Sequence, residues 1–134
     1  MQILVIAAGG AVGAVLRYLV SLLVISLAGD SWPYGTLVVN LLGAFLIGFL
    51  WQLFDTVTYQ HTTRLLVFTG GLGAFTTFST FSLESLTLLQ VGRTRDGMLY
   101  LLASNVGGLL CVWLGFVVSR YVLAQLRRIE RYFS

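Results

Sequence analysis

Hydroxyls, phenyl rings and a carboxylate converge in one stretch of this chain: Gly70-Gly71-Leu72-Gly73-Ala74-Phe75-Thr76-Thr77-Phe78-Ser79-Thr80-Phe81-Ser82, followed by Glu84. On a helix, Phe78 and Phe81 share one face, and Thr80 and Glu84 share the neighbouring one. Phenylalanines at that spacing usually serve core or lipid contacts. Here they interleave with Ser79, Thr80 and Ser82, directly after glycines and threonines that are poor material for a continuous helix. A ring edge carries partial positive charge, so phenyl edges with hydroxyl and amide donors could replace water around an anion. An interrupted helix would free carbonyl oxygens, which suit a hard monovalent cation such as sodium. Spacing and composition leave both ions open.

Other polar groups stand alone in apolar runs. Arg17 is either an anion-attracting group in an aqueous vestibule or a snorkelling side chain. Asn40 and Thr36, four residues apart on one helical face, suit a pore lining or an interhelical hydrogen bond. Glu84, the acid of the third run, suits a pore mouth or the membrane interface. Tyr100, Ser104 and Asn105 are the polar candidates of the fourth. Sets for enzymatic chemistry are missing: there is one His, His61, one Cys, Cys111, and no carboxylate cluster for acid–base work or metal binding. No Lys follows the glycines, so they are not a Walker motif. The expectation is a protein that is not an enzyme.

The elements that must position these groups are membrane spans. Of 134 residues, 57% are hydrophobic and 10% charged, against about a quarter charged in a soluble domain, and the mean hydropathy is +0.91. Four apolar segments, at about 2–27, 34–54, 65–92 and 97–119, are each long enough for a bilayer core. A helical tail over 120–134 carries Arg127, Arg128 and Arg131 into the headgroup region. Together they make one four-helix membrane domain, 1–134. The third segment would overshoot a core of roughly 30 Å if straight; an interruption near Gly73–Thr77 reconciles the two. The first segment has no basic leader and contains Arg17, so it reads as a retained span rather than a signal peptide. Cys111 has no intrachain partner. The net charge of +3 comes from arginines at span ends and in the tail, with no soluble fold to carry a nucleic-acid face.

Four short spans enclose little volume, which favours a homo-oligomer, a twofold dimer being the commonest. Small residues at helical spacing, Gly9 with Gly13, Ala44 with Gly48, and Gly107 with Cys111 and Gly115, fit close helix contacts within a subunit or between subunits. Arginine placement, with Arg64, Arg120, Arg127, Arg128 and Arg131 opposite Arg93 and Arg95, puts both termini in the cytoplasm.

The string from Gly71 to Glu84, together with Gly9-Gly10-Ala11-Val12-Gly13-Ala14-Val15-Leu16-Arg17-Tyr18 and Gly35-Thr36-Leu37-Val38-Val39-Asn40-Leu41-Leu42-Gly43, closely resembles the bacterial Fluc (CrcB) fluoride channels. The likeness runs through most of the chain in order. It implies an all-α membrane protein of four helices per subunit, the third broken near mid-membrane, assembled as a dual-topology antiparallel homodimer with two pores along the interface. Dual insertion goes with weak arginine asymmetry, against the five-to-two bias of this chain; the resemblance takes precedence, because the bias rests mostly on tail arginines beyond the span end. The resemblance further implies passive export of fluoride across the bacterial inner membrane, past Asn40, Phe78, Phe81, Ser79, Thr80, Ser104, Thr36 and Glu84, with Arg17 in a vestibule. A structural sodium ion would sit at the dimer centre on the carbonyls of Gly73 and Thr76. Two alternatives remain. A proton-coupled exporter of the small multidrug resistance type needs a mid-membrane carboxylate, which Glu84 is poorly placed to supply. A non-transporting structural subunit predicts no flux at all.

Overall fold

The computed structural model describes residues 1–56 and 61–133, and their regular structure is helical throughout. In order these are α1 (Gln2–Ala28), α2 (Tyr34–Thr56), α3 (His61–Arg64), a π-helical stretch (Leu65–Leu72), α4 (Gly73–Phe75), α5 (Phe78–Gln90) and α6 (Thr94–Phe133). Four stretches, Gln2–Ala28, Tyr34–Asp55, His61–Gln90 and Thr94–Ile129, are long and apolar enough to cross a membrane. The chain is a multi-pass, all-helical membrane protein. The third stretch starts at His61, four residues ahead of the expected Leu65; part of the expected polar connection, residues 57–60, lies outside the described residues. The fourth helix runs unbroken from Thr94 through Phe133, so span and tail are one rod; Ser134 lies outside the described residues.

The turns follow from local chemistry. Gly29, at φ 80°, closes α1 with its amide on the Ile25 carbonyl at 2.8 Å. Pro33 then precedes α2, where a missing amide is tolerated. At the other turn Gly92, also at φ 80°, ends α5 in a Schellman motif: the Arg93 amide returns to Leu88 O at 2.9 Å and that of Gly92 to Leu89 O at 3.2 Å.

Glycine governs how the rods pack. A Cβ at Gly9 would run into the Leu66 carbonyl oxygen, and one at Gly13 into that of Gly71, so α1 lies backbone to backbone along the π-helical stretch and parallel to it. In the same way Gly48 faces Val112, and Gly115 faces Phe45 and Phe49, drawing α2 and α6 together, again in parallel. Gly35 meets Ser21 and Gly97 meets Leu88 and Leu89, so sequence neighbours run antiparallel. That is the direction pattern of four successive passes. Of the small residues singled out by spacing, Gly9, Gly13, Gly48 and Gly115 mark close contacts within the subunit. The buried interior is thin: Val39, Phe75, Phe81 and Tyr100 are covered, while rows of leucines and valines on α1 and α6 face outward. Such a surface is ordinary for helices solvated by lipid.

Candidate functional site

The third span leaves helical geometry at two residues. Thr76 has φ −80°, ψ 156° and Thr77 has φ −145°, ψ 112°, both extended, between α4 and α5. The glycines themselves are not where the chain opens. Gly70 and Gly71 lie in the π-helical stretch and Gly73 in α4; of the three it is Gly70 that makes room for α1, against Ile6, Gly9 and Gly10.

Asn40 on α2 occupies the opening. Its Oδ1 accepts from the Thr77 amide at 2.8 Å and its Nδ2 donates to the Thr77 carbonyl at 3.1 Å. One side chain thus pairs both backbone groups of one extended residue, as a neighbouring strand would. Thr77 in turn caps α5: its Oγ1 accepts from the Thr80 amide at 3.3 Å, donates to Thr80 Oγ1 at 2.9 Å and lies 3.3 Å from Ser79 Oγ. These bonds have a consequence upstream. In a continuous helix the amides of Thr77 and Thr80 would serve the carbonyls of Gly73 and Thr76. Both amides are instead held by side-chain oxygens, so these two carbonyls lose their regular helical donors.

Below the cap, Thr77, Thr80, Phe81 and Glu84 succeed one another at i, i+3, i+4 and i+7, a single stripe along α5. The Glu84 carboxylate closes it, with Thr36 Oγ1 donating to Oε1 at 2.9 Å and Tyr100 Oη donating to Oε2 at 2.7 Å. Phe81 is buried, edge-on to Tyr100 with ring centroids 5.3 Å apart. Phe78 stands 5.7 Å from Phe81 yet is 79% exposed. The two rings are neighbours with opposite surroundings. Phe78, Asn40, Thr76 and Thr77 border an open cavity of about 380 Å³.

The hydroxyls differ in what they have left to offer. Those of Ser82, Ser85 and Thr87 donate to the carbonyls of Phe78, Phe81 and Leu83 on their own helix. Thr80 Oγ1 accepts a bond and keeps its own hydrogen, and the buried Ser104 Oγ has no partner among the described residues. Asn105, by contrast, is turned back onto Leu101 O at 2.7 Å. Arg17 is half-buried on α1 and makes no hydrogen bond or ion pair to any described residue, so the structure does not bring it to the stripe. Among the described residues no three His, Cys, Asp or Glu side chains converge to hold a metal ion; a cation here would need backbone oxygens.

Residues 4–116 match the family model described as CrcB-like protein, Camphor Resistance (CrcB). The chain belongs to the CrcB family. It is 48% identical over 123 residues to the fluoride-specific ion channel FluC of Magnetococcus marinus, covering 91% of this chain and 100% of that protein. The protein of the same name from Rhizobium meliloti is 44% identical over 120 residues, 89% of this chain and 96% of its own. That of Parabacteroides distasonis is 36% identical over 127 residues, 95% and 99%.

In this CrcB chain the residue that sequence reasoning undervalued is Thr77, which holds the geometry of the opening together. A threonine three positions before another hydroxyl at a helix start is a capping signal and could have found it. Trp32 was missed as well: its ring stands edge-on to Tyr100, 5.2 Å between centroids, and backs the acceptor end of the stripe.

Proposed function

We propose that the chain is a passive fluoride channel, with its pores at the interface of an antiparallel, dual-topology homodimer in the bacterial inner membrane. The observation that carries the reading is the Thr77–Thr80–Phe81–Glu84 stripe, in a chain similar from end to end to proteins named fluoride-specific channels. Fluoride gives up its hydration shell only where other donors replace it. Thr80, Ser79 and Ser104 would supply hydroxyl hydrogens, the remaining N–H of Asn40 an amide, and Phe78 and Phe81 their ring edges. Thr36, Glu84 and Tyr100 form the far end of the path. Arg17 raises local anion concentration at a vestibule.

The interruption at Thr76 and Thr77 would lie near mid-membrane, where freed backbone must face protein, water or an ion. A sodium ion fits this chemistry, because the carbonyls of Gly73 and Thr76 have lost their helical donors and are hard oxygen ligands. Bound between two copies, it would neutralise those oxygens and tie the subunits together. The exposed Phe78 ring and the cavity beside it supply the surface that a second copy would cover.

Purified protein in fluoride-loaded liposomes, followed with a fluoride electrode, is expected to release the anion without any partner or proton gradient; absence of release would end the reading. Phe81→Ile should suppress flux while leaving assembly intact. Thr76→Ser should be mild, since serine keeps both the carbonyl and the hydroxyl that donates to Leu72 O at 3.1 Å. Density at the dimer centre that vanishes when sodium is omitted tests the cation.

A further inference from the structure

At the end of the molecule where α1 turns into α2 and α5 into α6, Arg93 clamps the two loops together. Its Nε donates to Asp96 Oδ2 at 2.8 Å and its Nη1 to the Ser31 carbonyl at 2.7 Å. The other guanidinium hydrogens, and the second oxygen of Asp96, have no partner among the described residues. Arg93 and Asp96 help to line an open cavity of about 420 Å³, together with Ser31, Trp32 and Tyr34 and, as its floor on α6, Leu99 and Ala103. That is room for roughly a dozen waters, far more than a halide requires. The two rings stand 4.9 Å apart between centroids, inclined at 53°.

The floor and the charges identify what fits. Asp96, Leu99 and Ala103 follow one line down α6, and Leu99, Leu102 and Val106 are each half or more exposed, so the cavity opens onto the helix's apolar flank. The charged residues of the lining are Arg93 and Asp96, one of each sign. A rim with no net charge is not an anion trap; it complements a ligand that brings both signs. We propose that this cavity seats the headgroup of a zwitterionic phospholipid, phosphatidylethanolamine in chemical type. Its phosphodiester takes the free Arg93 hydrogens. Its ammonium takes the open Asp96 oxygen and the faces of Trp32 and Tyr34. Its glycerol and first methylenes follow Leu99 and Ala103 towards the acyl layer. The cavity shares no residue with the stripe on α5, although Trp32 backs both, and its test reads lipid retention rather than fluoride transport.

The test is native mass spectrometry of the full-length protein, released from detergent with equal amounts of phosphatidylethanolamine and phosphatidylglycerol. The native chain should retain the ethanolamine lipid about threefold or more over the glycerol lipid, the range of one cation–π contact. Asp96→Asn should bring that ratio to about one by lowering ethanolamine retention only. Ala103→Phe, which keeps every charge and fills the floor, should lower retention of both. Glycerophosphoethanolamine, which has the headgroup and no acyl chains, should not compete at equal concentration. Equal retention by the native chain, or no response to both substitutions, overturns the site. Full competition by glycerophosphoethanolamine overturns the lipid as its source and leaves a soluble phosphate ester instead.

Discussion

On one side the third span meets α1 through glycine, and on the other it meets α2 through hydrogen-bonding side chains. Along Leu65–Leu72 the contact is backbone on backbone, with Gly9 and Gly13 against Leu66 and Gly71. At Thr76 and Thr77 it is Asn40 reaching into the main chain, and at Glu84 it is Thr36. Close glycine packing gains dispersion energy from proximity but says little about which residue faces which. A bidentate amide and a charge-assisted hydroxyl bond say little about proximity but allow one register only. The chain therefore uses two materials for two tasks: one sets how near the helices lie, the other where along them the chain opens.

Substitutions that separate these tasks test the contrast. The largest effect is expected from Gly13→Leu, which drives a branched side chain into the Gly71 backbone. Overpacking costs about 1–3 kcal/mol even for small additions, so the yield of monodisperse protein on size exclusion should collapse. Asn40→Leu comes next. It leaves the Thr77 amide and carbonyl unpaired, at about 1–3 kcal/mol for each group, and thermal unfolding in detergent should show a matching loss. Glu84→Gln keeps one acceptor oxygen but sets an amide against a hydroxyl donor. A loss of about 1 kcal/mol is expected, with fluoride release reduced more than stability. The smallest effect belongs to Gly10→Ala. Its nearest neighbour would be Ala74 Cβ at 4.0 Å, so the melting point should hold or rise, by up to about 1 kcal/mol of helix propensity. A Gly10→Ala variant that fell as far as one at Gly13 would show that the contact is not set by close approach.

The spans were legible because hydropathy reports burial in lipid directly, and the shared face of Thr80 and Glu84 because four-residue spacing survives into α5; that Thr77 and Phe81 join them in one stripe was not read from the sequence. Thr36 and Asn40, predicted to share a face, do so and both reach the third span. The expected range, Gly73–Thr77, contains the two extended residues, and within it they are the threonines, not the glycines. Conformational freedom and small size are both properties of glycine, and at Gly70 size is the one in use, while the extended residues are β-branched threonines. The unequal exposure of Phe78 and Phe81 could not be read from their spacing, since a ring's surroundings depend on which helix stands opposite. The π-helical winding of Leu65–Leu72 left no trace in the residue pattern. Nor could the sequence show that Glu84 accepts from two other helices at once, because partners 48 and 16 residues away carry no local signal.

The amide that shapes Thr77 comes from 37 residues earlier in the chain, on a span that enters the bilayer first. As the third segment emerges from the biosynthetic machinery, the side chain that pairs its Thr77 backbone has already been made. An order of assembly is thereby written into the placement of a single asparagine: a chain permuted so that its third span is synthesised before its second should insert as well, yet acquire its bend late.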